Sequence, residues 1–211
     1  MTTRREFLQG TLTASGIALA STTSASTFSG LGAWGRDAFA PLQLGGVVFD
    51  TSIAHSVAFG SRASRLGLQT FPIEGDITNL WTRHLMGQWR EQPVPLAGLT
   101  EAVPLFLLER FGWDHGLRVV FRAEHRPQDD GILVHQLEGP PDMLIAFQSL
   151  ATGQMEFGSC MADALASCPK TARTATTAMF TTPPVPRESQ QTLPLYSWVI
   201  APRGAFAPLL P

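Results

Sequence analysis

The chain has 211 residues, of which 44% are hydrophobic and only 15% charged, against about 25% charged in an ordinary soluble domain. That length suits one domain with a sizeable core, and the composition excludes a disordered chain. A net charge of −2, with no run of Lys or Arg, excludes both an electrostatic nucleic-acid footprint and a polybasic membrane patch.

The chain opens on Thr3-Arg4-Arg5-Glu6-Phe7-Leu8-Gln9, followed by a modest apolar stretch over residues 10–20 that ends in Ala18-Leu19-Ala20. A basic start, a short apolar run and a small-x-small site in that order form the layout of an export signal. The segment resembles the bacterial twin-arginine (Tat) signal, whose pattern is Ser/Thr-Arg-Arg-x-Phe-Leu-Lys. Thr3, Arg4, Arg5, Phe7 and Leu8 match it, and Gln9 departs from it. The resemblance implies a signal peptide over residues 1–27, cut after Ala20 or in the Ser/Thr/Ala run that follows. It also implies the Tat translocase as a partner during export, and a mature protein secreted to the periplasm. That route carries cargo already folded, typically because the cargo holds a cofactor or travels with a partner that does. The apolar stretch is shorter than the ~20 residues of a membrane helix, so no span is expected in the mature protein.

Residues 28–43 read as a linker. They contain Gly30-Leu31-Gly32-Ala33-Trp34-Gly35, a literal G-x-G-x-x-G. A dinucleotide fingerprint needs a strand before the glycines, a helix after them and an acidic residue to close the unit. None of these is in place, so no cofactor is expected.

Residues 44–211 are expected to form one α/β domain, with a βα repeat over 44–127 and an irregular C-terminal extension over 128–211. Gly46-Val47-Val48-Phe49-Asp50 is a short continuous apolar run, as for a strand buried on both faces. Thr51 or Ser52 can cap the following helix, which Gly67 ends. A second strand runs from Gln69 to Ile73. Asp76 then caps a helix with Ile77, Leu80, Trp81, His84 and Leu85 at helical spacing. A third strand spans Pro93 to Leu99, and Thr100 caps an apolar helix through Phe111. The fourth strand covers Leu117 to Ala123, and Glu124 to Pro127 leaves the sheet.

Asp129-Asp130-Gly131 is a strong turn signal, so Ile132 to Leu137 is expected to return as a hairpin partner. A short helix is expected over 159–167, no structure over the Thr/Ala/Pro-rich residues 171–192, and a last strand over 195–201 at a sheet edge. The expected fold is a mostly parallel sheet of the flavodoxin/Rossmann-like three-layer kind, with an antiparallel C-terminal extension.

In such sheets ligands bind beyond the carboxyl ends of the strands, where neighbouring crossovers diverge. A strand order beginning 2-1-3-4 puts that point between strands one and three. Its candidate ligand-binding residues are Asp50, Thr51, Ser52, Glu74, Gly98, Thr100, Glu124 and His125. Asp50 is the candidate acid/base, because a carboxylate ending a buried strand is costly without a partner. No nucleophile elbow and no metal-ligand spacing are present, so no metal is expected. His125 and His135 flank the turn and can approach each other across the hairpin, but two ligands do not make a metal site. Cys160 and Cys168 are the only cysteines, and an oxidising address makes them the candidate disulfide. Together these features point to an exported accessory or small-molecule-binding protein, with a cofactor-bearing oxidoreductase as its expected companion. Trp81, Trp89 and Trp113 are candidate contact residues. The alternative is a hydrolase or isomerase acting on a small carboxylated or phosphorylated substrate at the same crevice.

Overall fold

A computed structural model describes residues 41–141, 143, 147, 155–170, 176–182 and 194–203. The export signal, the G-x-G-x-x-G run and most of the linker lie outside the described residues.

Strand β1 (Gly46–Asp50) is followed by helix α1 (Ala54–Arg65), and β2 (Thr70–Ile73) by α2 (residues 78–91). Next come β3 (Leu96–Thr100), α3 (Ala102–Asp114), β4 (Leu117–Pro127) and β5 (Leu133–Gly139). Helix α4 (Phe157–Ala166), β6 (Thr176–Thr182) and β7 (Leu195–Pro202) complete the described chain. All seven strands form one mixed sheet in the order β2-β1-β3-β7-β4-β5-β6. The β2-β1-β3 part is parallel, and every ladder beyond it is antiparallel. The fold is α/β.

The largest departure from expectation is β7. It lies between β3 and β4 rather than at an edge, so the order 2-1-3-4 does not occur. Its near-continuous apolar run, Leu195-Tyr196-Ser197-Trp198-Val199-Ile200-Ala201, is what a strand covered on both faces requires. Strand β4 is also longer than expected. Glu124 to Pro127 stay in the sheet because they pair with β5 and Glu124 and His125 also with β7. Within 171–192 there is a strand, β6, paired along its length with β5. The extension therefore supplies three of the seven strands and is not an irregular appendage.

Side chains alternate between two cores. Val47, Ala97, Ala123, Leu137 and Val199 face one, beneath α1 and α4. Val48, Leu96, Leu117, Trp198 and Ile200 face the other, beneath α2 and α3. Burying each large side chain contributes about 2 kcal/mol. Helix α2 carries a π-turn at Trp81–Leu85, and Trp81 stacks on Phe111 of α3 at 4.4 Å. Of the tryptophans considered for contacts, Trp89 is buried in the second core and Trp81 packs partly buried against it, whereas Trp113 is exposed. Gly67 at positive φ follows the end of α1 as expected, and Gly116, also at positive φ, follows α3.

Candidate functional site

Asp50, Thr51 and Glu74 come together beyond the carboxyl ends of β1 and β2. A cleft of about 450 Å³ opens there, lined by Thr51, Pro72, Ile73, Glu74, Asp76, Asn79 and Leu80. Asp50 ends β1 with only 2% of its surface exposed. Its Oδ1 accepts from the Ser52 amide (2.9 Å) and from the Ser52 hydroxyl (2.6 Å). Its backbone N–H donates to Ser56 Oγ (2.7 Å), and Ser56 Oγ in turn donates to the Leu99 carbonyl. These bonds fix the loop that links β1 to α1. The other oxygen, Oδ2, faces the β2–α2 turn, where a Cβ built on Gly75 would sit 3.9 Å away. Gly75 itself has φ +75°, a conformation glycine adopts freely. The buried carboxylate therefore lies one residue before the cleft-lining Thr51 and faces the Gly75 turn between Glu74 and Asp76, with one oxygen fixed and one not hydrogen-bonded among the described residues.

The caps differ from expectation. Neither Thr51 nor Ser52 caps α1, whose N-cap is Ile53 without a side-chain bond. Thr51 Oγ1 instead donates to the Ile73 carbonyl (3.1 Å), tying β1 to β2. The N-cap of α2 is Ile77 rather than Asp76, but Asp76 sits just before it and accepts from the Thr78 amide (2.9 Å) and hydroxyl (2.7 Å). Those Thr78 hydrogen bonds keep its carboxyl below the usual range. The cleft lining thus carries Glu74 and Asp76 and no Lys or Arg.

Two residues expected to line the crevice between β1 and β3 are instead engaged by β7. Gly98 faces the Trp198 indole so closely that a Cβ there would collide with it. Thr100 is buried, accepting from Trp198 Nε1 (3.1 Å) and donating to the Glu101 carbonyl (2.9 Å). It does not cap α3, whose N-cap is Glu101. The strand register still places Thr100 beside Tyr196, and Tyr196 beside Glu124, on one face. Tyr196 donates its hydroxyl to Glu124 (3.1 Å), which also takes two bonds from Arg126 (2.7 and 2.8 Å). Arg126 is the main reason the Glu124 carboxyl lies below its ordinary range. Inserting β7 thus moves Glu124 one strand farther from Asp50 than the expected order did.

His125 points to the opposite face, into a buried network that the sequence showed only in part. His125 Nδ1 meets His135 Nδ1 at 2.7 Å, the cross-hairpin approach expected from the turn. His125 Nε2 bonds Ser197 Oγ (2.8 Å), and His135 Nε2 bonds Thr182 Oγ1 (3.2 Å). One side chain from each of β7, β4, β5 and β6 therefore forms a continuous chain across four strands. Either direction of donation satisfies every ring nitrogen when both imidazoles are neutral. The Phe157 ring lies 4.6 Å from His125, 5.4 Å from His135 and 5.3 Å from His55.

His55 bonds Glu156 through Nδ1 (2.8 Å), while its buried Nε2 has no partner among the described residues. Glu156 is the N-cap of α4 and accepts from the Gly158 (3.0 Å) and Ser159 (2.8 Å) amides. Burial pushes its carboxyl up, but these bonds and His55 outweigh that and leave it lowered. Ser197 and Thr182 could not be assigned to this network beforehand, because they reach it from strands distant in sequence.

The expected disulfide is absent: Cys160 and Cys168 are both free and buried. Cys160 lies within α4 and Cys168 just beyond it, and a helix holds such positions apart along its axis. Burial raises their thiols to about 11 and about 12, so neither is a ready nucleophile. No group of three or more His, Cys, Asp or Glu among the described residues could hold a metal ion. No helix among the described residues is long and apolar enough to cross a membrane. Comparison with known protein families, curated proteins and solved structures finds no match.

Proposed function

We propose that the protein is exported to the periplasm by the twin-arginine route and acts there as a small-molecule-binding or accessory subunit, with its ligand site in the cleft beside Asp50. The carrying observation is the Asp50 carboxylate, buried to 2% next to the cleft-lining Thr51 and facing the Gly75 turn between the cleft-lining Glu74 and Asp76, with only one oxygen hydrogen-bonded among the described residues. Burying a carboxylate is costly unless its remaining acceptor capacity is used, and a ligand in the cleft would use it. Glu74 and Asp76 add negative charge to the lining without a compensating cation. That favours a ligand presenting a cationic or multiply hydroxylated end.

The same electrostatics weigh against the alternative, a hydrolase or isomerase for carboxylated or phosphorylated substrates, because such a substrate would meet like charge. As part of this proposal we read the β2-β1-β3 half as a flavodoxin-like unit of three layers. Support comes from α1 packing on one face while α2 and α3 pack on the other.

Purification of the mature protein from the periplasm of its host tests the proposal, using mass spectrometry of co-eluting species and an absorbance spectrum. The expected result is a stoichiometric bound small molecule or a second chain carrying a cofactor. A colourless chain with neither would overturn it.

A further inference from the structure

The two edges of the sheet are not protected alike. Strand β2 closes one edge with four residues, including Pro72, and proline has no N–H to offer a further strand. Strand β6 closes the other with seven residues, Thr-Thr-Ala-Met-Phe-Thr-Thr, none charged and none proline. Proteins ordinarily guard such an edge with Lys, Pro, a bulge or a covering element. Among the described residues no strand pairs with the outer edge of β6. On its outward face Thr177, Met179 and Thr181 are exposed, Met179 to 69%.

The β6 sequence is also close to a palindrome about Met179. Reversed, it still reads Thr-Thr at both ends with Met at the centre, and only Ala178 and Phe180 exchange. A palindromic edge suits an isologous two-fold contact, in which residue i meets j and j meets i.

We infer that β6 is a dimerisation edge that pairs antiparallel with β6 of a second copy about a two-fold axis through Met179. In that register Met179 faces its own copy, and Thr177 faces the partner's Thr181 on the exposed side. On the other side Ala178 faces the partner's Phe180, small against large. Facing Thr–Thr pairs are favourable cross-strand neighbours. Pairing joins the two sheets into one and removes Met179 from water. It uses the open edge of both copies and leaves only the Pro72 edges outside, so assembly stops at two chains.

Sedimentation equilibrium on the purified mature chain tests this inference. The wild type is expected to be a dimer. Met179→Lys is expected to weaken self-association at least a hundredfold, with unchanged far-UV circular dichroism. The register is read separately with cysteines under mild oxidation, since buried Cys160 and Cys168 do not compete. Met179→Cys is expected to give a covalent dimer with itself. Thr177→Cys is expected to link to Thr181→Cys but not to itself. A monomeric wild type, an open-ended oligomer, a Met179→Lys chain that still dimerises, or a Thr177→Cys chain that self-links as readily as Met179→Cys would each overturn the inference.

Discussion

Acidification from pH 6.5 to pH 4 is expected to cost the protein about 3 kcal/mol of folding stability, and the cause is the buried histidine chain. Burial lowers His135 from 6.5 to about 4, and it lowers His125 well below the ordinary value, with the neighbouring His135 and His55 adding to the effect. Between the unfolded and folded values the unfolded chain binds more protons, so stability rises with pH and falls on acidification. A shift of that size in one group corresponds to about 3 kcal/mol.

Geometry gives the same sign. His125 and His135 share a single proton between their Nδ1 atoms at 2.7 Å, and protonating both rings breaks that bond and sets two like charges together in the core. His55 from α1 also acts on His125, and it is itself bonded to Glu156 at the N-cap of α4. Urea unfolding followed across this pH range is expected to show a steadily falling midpoint. A midpoint unchanged between pH 6.5 and 4 would mean the two rings are not buried neutral.

Gly158→Ala is expected to destabilise the fold by about 3 kcal/mol, the upper range for overpacking a close contact. Helix α4 crosses α1 at this glycine. A Cβ there would fall on the His55 carbonyl oxygen, 2.9 Å from the His55 carbonyl carbon and 3.0 Å from the Phe59 nitrogen. Backbone cannot turn aside as a flexible side chain can, so the helices must separate. Separation would also pull on the His55–Glu156 bond and on the Arg62–Asp163 pair (2.9 Å) that join the same two helices. Thermal unfolding of the variant measures the effect. A loss below about 1 kcal/mol would show that α1 and α4 do not meet backbone to backbone.

The β1-to-β4 succession was legible because its signals are local. Val47 and Val48 sit in a short apolar run, Gly67 and Gly116 stop helices, and Asp129-Asp130-Gly131 turns one strand into the next. The turn also made the approach of His125 and His135 readable, since hairpin register follows from it. Antiparallel pairing between strands distant in sequence leaves no such mark. Nothing near Leu195 says that its neighbours are β3 and β4, so neither the packing of Trp198 on Gly98 nor the Ser197–His125 bond could be read. Strand β6 was hidden for another reason: its threonines sit in a Thr/Ala/Pro-rich stretch whose composition resembles a loop.

Of the candidate ligand residues, Thr51 and Glu74 line the cleft because they follow adjacent parallel strands, with Asp50 ending β1 beside them and Ser52 anchoring the Asp50 loop. Gly98 and Thr100 are taken up by Trp198 packing and bonding. Glu124 pairs with Arg126 and Tyr196, and His125 belongs to the opposite face.

The most direct measurement is native mass spectrometry of the periplasm-purified protein as wild type and as Asp50→Asn. The substitution keeps an oxygen for the Ser52 bonds and removes only the charge. Wild type is expected to carry a small bound species that the variant loses or holds at least tenfold more weakly. Equal occupancy in the two proteins, or a bare wild-type chain, would contradict the assignment of Asp50 and its cleft as the ligand site.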